Sequence, residues 1–249
     1  MGIKRTLGWI FLGIPAALGT VAVITAVYYA NEVRVARSET PALMVAASSR
    51  YGTQVKLTDL TAERRAMLLA VEDPAFMRHH GVDLATPGAG MTTITQGLVK
   101  ILYFPEGFEP GFDKIRQTLI AQYALSALVS KEDQLALFLN VSYLGNKNGK
   151  SVHGCAQGAR SYFGKEFATL TDAEFVSLVA MLIGPNYFKL GTPAHEERVK
   201  LVQAYLAGRY QPDGLLDVEY KGKPKGSPAQ EALIALLRFV TDARPKKEG

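Results

Sequence analysis

From Leu7 to Ala30 the chain reads LGWIFLGIPAALGTVAVITAVYYA, about 24 residues without one charged side chain. As a helix such a run rises about 36 Å at 1.5 Å per residue, enough to cross a hydrocarbon layer of about 30 Å. Trp9 stands near one end and Tyr28 and Tyr29 near the other, where amphipathic rings favour the membrane interface. Pro15 falls inside the run, and lipid-embedded helices tolerate proline. A buried core helix would be broken by charge more often than this. A cleaved signal peptide would be shorter, with a small residue where Tyr28 sits. The run is therefore expected to be a retained signal anchor, one N-terminal transmembrane helix. Lys4 and Arg5 precede it, and Arg34 and Arg37 follow it beside Glu32, a weak bias towards a cytoplasmic amino terminus with the body on the far side.

The remaining chain is long enough for a substantial core. Of the 249 residues, 48% are apolar and 20% charged, which excludes a disordered or collagen-like chain. The single cysteine, Cys155, excludes an intrachain disulfide framework. A net charge of +5 favours anionic partners, namely a membrane surface or a phosphorylated substrate. No nucleic-acid-binding motif accompanies that charge, and no nucleic-acid partner is expected. Apolar spacing predicts helices in Leu60–Asp73 up to Pro74, and through Lys114–Asn140 with a restart cap at Ser130. Others are predicted after the Thr171–Glu174 capping box, over Ala194–Tyr210 and over Pro228–Thr241. Val33–Ser38 and Leu43–Val45 are expected to pair briefly as strands. Thr86–Gly90 and Gly145–Gly154 read as glycine-rich loops, and the lysines of 221–225 and 244–247 as solvated charge.

Two segments carry chemistry. In VEDPAFMRHHGVD, Val71 to Asp83, Glu72 and Asp73 end an apolar helix just before a proline. A carboxylate against apolar surface has its pKa raised, as a general acid or base requires. His79 and His80 lack a well-spaced third ligand, so a metal site is not expected. In GMTTITQGLVK, Gly90 to Lys100, hydroxyls and an amide follow a glycine-rich loop, with Thr92 or Thr93 as helix cap. Lys100, Lys114 and Arg116 supply cations for a pyrophosphate.

Together these segments resemble the peptidoglycan glycosyltransferases of family 51. Glu72, Asp73, Phe76, His79 and Gly81 match the Glu-Asp-x-x-Phe-x-x-His-x-Gly motif of that family. Gly90, Thr92, Thr93, Ile94, Thr95, Gln96, Leu98, Val99 and Lys100 match its Gly-x-Ser-Thr-Ile-Thr-Gln-Gln-Leu-Val-Lys motif. Ser130, Lys131, Leu139, Asn140 and Gly145, then Gly154–Lys165 and Leu170–Phe188, follow in the same order. The resemblance implies a mainly α, lysozyme-like helical domain behind one transmembrane helix. The expected division is a cytoplasmic segment 1–6, an anchor 7–30, a juxtamembrane segment 31–54, a glycosyltransferase domain 55–210 and a C-terminal helix with basic tail 211–249. The tail is too short for a second catalytic domain, so transpeptidation is not expected.

The resemblance further implies polymerisation of lipid II, or a related polyprenyl-pyrophosphate sugar, with inversion. Glu72 would be the general base, and Asp73, Phe76, His79, Thr92, Thr93, Gln96, Lys100, Lys114, Arg116 and Asn140 would bind substrate. It implies a single-pass protein of the bacterial cytoplasmic (inner) membrane with its body on the outer face, working beside other cell-wall synthesis proteins. No cofactor is required, although a divalent cation such as magnesium accompanies many members.

The sequence departs from the family at four places. The second carboxylate of the family falls on Thr118, and no Asp or Glu occurs between Lys114 and Lys131. The second Gln of the donor motif is Gly97, its Ser is Thr92, and a further Glu is Ala136. Two readings follow: an enzyme working from Glu72, or a catalytically impaired relative that binds lipid II or a cell-wall partner in a scaffold or regulatory role.

Overall fold

The computed structural model describes residues 3–222 and 226–246, with side chains from residue 15 onward. The side chains of Lys4, Arg5 and Trp9, together with Lys223, Lys225 and Lys247, lie outside the described residues. Helix α1 is one continuous rod, Ile3–Tyr51, of 49 residues. It is long and apolar enough to cross a membrane, and Leu18, Val21, Val23, Ile24 and Val27 all point away from protein.

The helix does not stop at the end of the apolar run, which corrects the expected strands. Val33–Ser38 and Leu43–Val45 are turns of α1, not paired strands. Their β-branched residues are outweighed by burial of one helical stripe, Ala36, Thr40 and Ala47, against the body. The Thr40 hydroxyl meets the Tyr103 hydroxyl at 2.6 Å, and Arg37 and Glu32 tie α1 to Tyr123 and Arg116.

The body is a set of short helices: α2 (Ala62–Glu72), α3 (Ile94–Tyr103), α4 (Phe112–Ile120), α5 (Ser126–Leu128), α6 (Lys131–Val141), α7 (Cys155–Phe163), α8 (Asp172–Met181), α9 (Pro193–Leu206) and α10 (Pro228–Val240). The expected caps form, with Ser130 opening α6 and Thr171 with Glu174 boxing the start of α8. One hairpin, β1 (Tyr143–Lys147) and β2 (Lys150–His153), replaces the expected loop at 145–154. Asn148 and Gly149 form its turn with φ of 54° and 78°, the backbone that two-residue hairpin turns demand. Buried Leu68, Leu98, Leu125, Leu135, Leu139 and Leu178 form one contiguous core.

Between α4 and α5 the chain makes a π turn, Ala121–Leu125. Gly81 packs on it with φ +89°, and a Cβ there would lie 2.4 Å from the Ala121 carbonyl oxygen. Gly81→Ala therefore combines backbone strain with a clash that no side-chain rotation relieves. It is expected to cost roughly 2–4 kcal/mol, read as a lowered thermal midpoint of the purified full chain.

Candidate active site

Glu72 is the last residue of α2, and Asp73 is its C-cap, with its backbone N–H donating to the Leu69 carbonyl. Neighbours in sequence, the two carboxylates have opposite fates. Asp73 turns inward and is 1% exposed. It accepts from His79 Nε2 at 2.9 and 3.0 Å and from the Ile94 N–H at the start of α3, at 2.9 Å. The Gly81 N–H donates to His79 Nδ1 at 3.0 Å, which assigns the ring proton to Nε2. Asp73 and His79 thus staple the end of α2 to the start of α3.

Glu72 instead turns into a cavity of about 340 Å³, walled by Val71, Met91, Phe138, Leu182, Ile183 and Val218 among others. Burial pushes its pKa from 4.5 up to about 7, Arg198 on α9 opposes the rise and Asp73 adds to it. A base poised there can take a proton near neutral pH.

A second cavity of about 400 Å³ adjoins the first, since Met91 and Thr92 line both. Its cations are Lys100 and Lys114. Lys114 Nζ donates to Thr92 Oγ1 at 3.1 Å and to Gln117 Oε1 at 2.9 Å. Burial, reinforced by Lys100, lowers the Lys114 pKa to about 7. Lys114, bonded to neutral oxygens, and Lys100, 4.9 Å from the Phe108 ring centroid, can together receive an anion. An anion would raise the Lys114 pKa, so binding should carry proton uptake. Inorganic pyrophosphate is expected to bind the full chain several-fold more weakly above about pH 8 than below about pH 6. Lys114→Gln should flatten that dependence, and calorimetric titration across this range measures both.

Thr118 is wholly buried. Its hydroxyl donates to the Lys114 carbonyl at 2.6 Å and accepts from Gln96 Nε2 at 2.9 Å. Among the described residues lining the two cavities, Glu72 is the one carboxylate. Asp113 lines neither and accepts from the Glu109 N–H instead. The donors lining the cavities therefore do not form a ligand set for a resident divalent cation, and among the described residues no three Asp, Glu, His or Cys are grouped so that they could hold a metal ion.

The expected site residues separate on this geometry. Glu72, Thr92, Thr93, Lys100 and Lys114 line the cavities. Thr93 rather than Thr92 caps α3, boxed with Gln96, whose amide is spent on Thr93 and Thr118. Phe76 is a core residue edge-on to His79. Arg116 pairs with Glu32 of α1 and stacks over Phe104. Asn140 lies away from both cavities, bonding the Val55 N–H and carbonyl at 3.0 and 2.8 Å. None of these last three reaches the space around Glu72.

Two features escaped the sequence reading. Arg198 lies 2% exposed in the buried stripe of α9 with His195 and Val202, where a helix pattern calls for apolar residues. An Arg at such a position was the available signal. It donates to the Val218 carbonyl at 2.8 Å and stacks on Tyr220 at 4.7 Å. The strap 207–222 returns over the site: the Gly88 and Gly90 N–H groups donate to the Gly214 and Leu215 carbonyls at 2.9 and 2.8 Å. Val218 closes the wall, and a Cβ on Gly90 would come within 2.8 Å of it.

The helical domain thus sets one raised-pKa carboxylate in a cavity that adjoins another carrying two lysines. The family model described as Transglycosylase matches residues 39–207, about two thirds of the chain, and the chain belongs to that family, as the family 51 motifs anticipated. Penicillin-binding protein 1A of Neisseria gonorrhoeae is 29% identical over 188 residues, covering 69% of this chain and 23% of the relative. Penicillin-binding protein 2a of Streptococcus pneumoniae serotype 2 (strain D39 / NCTC 7466) is 29% identical over 152 residues, covering 57% and 20%. The chain thus spans less than a quarter of the length of these curated relatives.

Proposed function

We propose that this chain is a membrane-anchored peptidoglycan glycosyltransferase that polymerises lipid II into glycan strands with inversion. The observation that carries this is Glu72: a lone carboxylate, held near neutrality by burial, in a cleft that opens onto paired lysines. In the reaction the Glu72 carboxylate takes the proton of the acceptor sugar 4-hydroxyl. The freed oxygen forms a bond to the donor anomeric carbon from the face opposite the leaving group. The carbon–oxygen bond to pyrophosphate breaks, and the lipid pyrophosphate departs with the electron pair. Lys100 and Lys114 stabilise the charge it gains. Thr92 positions the Lys114 ammonium, while Asp73 and His79 fix the turn that aims Glu72. Any divalent cation would have to rely on ligands from the pyrophosphate, and no step here uses one.

A polyprenyl substrate requires a membrane, so the reading includes α1 spanning the cytoplasmic (inner) membrane with the body outside, among other cell-wall synthesis proteins. The test is lipid II polymerisation by the purified full chain in liposomes. Polymer is expected from the natural sequence, with a loss of roughly 10²–10⁴-fold in Glu72→Gln.

A second reading rests on Thr118, neutral, buried and hydrogen-bonded to Gln96 and the Lys114 carbonyl, which leaves Glu72 as the one carboxylate among the described residues lining the cavities. Under it the chain binds lipid II in a scaffold role. Lipid II that binds the natural chain but is never polymerised would decide for that reading.

A further inference from the structure

Helix α10 lies beyond the region matched by the family, and both of its faces are apolar. Ile234 and Leu237 are buried in the body, while Ala232, Ala235, Leu236 and Phe239 form an outward stripe at i, i+3, i+4 and i+7. Phe239 is 88% exposed. The polar side chains Gln230, Glu231 and Arg238 are confined to one narrow arc, and the wide exposed apolar stripe that remains belongs against protein or in lipid. The stripe is not isolated: Leu236 and Phe239 share a groove of about 830 Å³ with Ile115 and Leu119 of α4 and with Ala22 and Ala26 of α1.

That shared wall sets the depth of α10. Ala22 and Ala26 belong to the uncharged run that ends at Ala30, eight residues or about 12 Å further along the helix axis. Whatever packs beside them lies at their level in the bilayer. The body joins the carboxyl-terminal end of the run, so this holds for either orientation of α1.

From this we infer that α10 is a membrane-inserted helix whose Ala232–Phe239 stripe, with the groove behind it, is filled by hydrocarbon chains of the bilayer leaflet facing the body. The depth implied, about 5–10 Å, is that of helices lying in the interface. Arg37 at the groove edge, bonded to the Tyr123 carbonyl, stands where lipid phosphates would be. The inference rests on α1 spanning the membrane.

The experiment uses the full chain in phosphatidylethanolamine–phosphatidylglycerol vesicles that contain no polyprenyl lipid. Nitroxide labels are placed on Phe239→Cys, Ala235→Cys, Val21→Cys and Lys150→Cys, each checked for an unchanged thermal midpoint. Cys155 is buried and its thiol is pushed up to about 12, so it stays unlabelled. Collision with oxygen is compared with collision with a water-soluble nickel chelate. Labels at 239 and 235 are expected to favour oxygen several-fold over the label at 150, as the label at 21 does. A water-like label at 239 beside a lipid-like label at 21 overturns the inference and leaves the span intact. Labels at 239 and 235 shielded from both reagents would mean a second copy covers the stripe, and a lipid-like signal only after polyprenyl phosphate is added would assign the groove to that chain. Either result overturns the inference. A water-like label at 21 removes the span itself.

Discussion

Glu72→Gln is expected to produce a protein that is more stable at about pH 8 and nearly inactive. The folded protein holds this carboxyl at about 7 against an ordinary 4.5. A raised carboxyl binds its proton more tightly when folded, so its favourable contribution is complete below about pH 4.5 and is lost as the pH rises through about 7. Above that, the ionised side chain sits in a poorly solvated cleft and destabilises the fold by roughly 1–3 kcal/mol. Glutamine removes that cost, so the thermal midpoint should rise at about pH 8 and stay near the natural value at about pH 4. An unchanged midpoint at the higher pH would mean that Glu72 is solvated and not poised as a base. Stability gained where activity is lost is the mark of a strained functional group.

The second large effect is expected at Arg198. Its guanidinium is the charge that holds the Glu72 pKa down, and it also anchors the strap through the Val218 carbonyl. In Arg198→Met the Glu72 pKa should rise further. The alkaline shift of the pH–rate profile should be about one unit, with roughly fivefold less activity near pH 7. Loss of the Val218 bond and the Tyr220 stack should also cost about 1–3 kcal/mol of stability. Arg198→Lys keeps the charge, so it should restore most of the pH profile but less of the stability. A role confined to packing would lower stability in Arg198→Met and leave the pH profile where it was.

What was legible in the sequence followed local rules. The caps at Ser130 and Thr171 and the stop at Pro74 depend on a few neighbouring residues, and they formed as read. The motif around Glu72 placed that side chain at a helix end, where the structure finds it. Long-range packing was not legible. The β-branched residues of 33–45 suggested strand, but burial of Ala36, Thr40 and Ala47 on the body keeps α1 helical to Tyr51. The Asn148-Gly149 pair was a hairpin signal passed over as loop. The residues that matched family motifs also divided in a way no pattern could show. Asp73, His79 and Gln96 spend their polar atoms on other protein groups, whereas Glu72 turns into a cavity and Lys114 lines the adjoining one. Which of two adjacent carboxylates faces a cavity depends on where α3 and α9 dock, and that is a tertiary fact.

The central claim is that one carboxylate, Glu72, carries the chemistry while Thr118 takes the place of a second. The most direct test is the initial rate of lipid II polymerisation by the full chain in liposomes, followed from about pH 5 to about pH 9. The account predicts a rate that climbs through about 7 as Glu72 ionises, falls again on the alkaline side as Lys114 loses its proton, and is lost across the whole range in Glu72→Gln. A rate that is level across the range, or one that survives in Glu72→Gln, would contradict it.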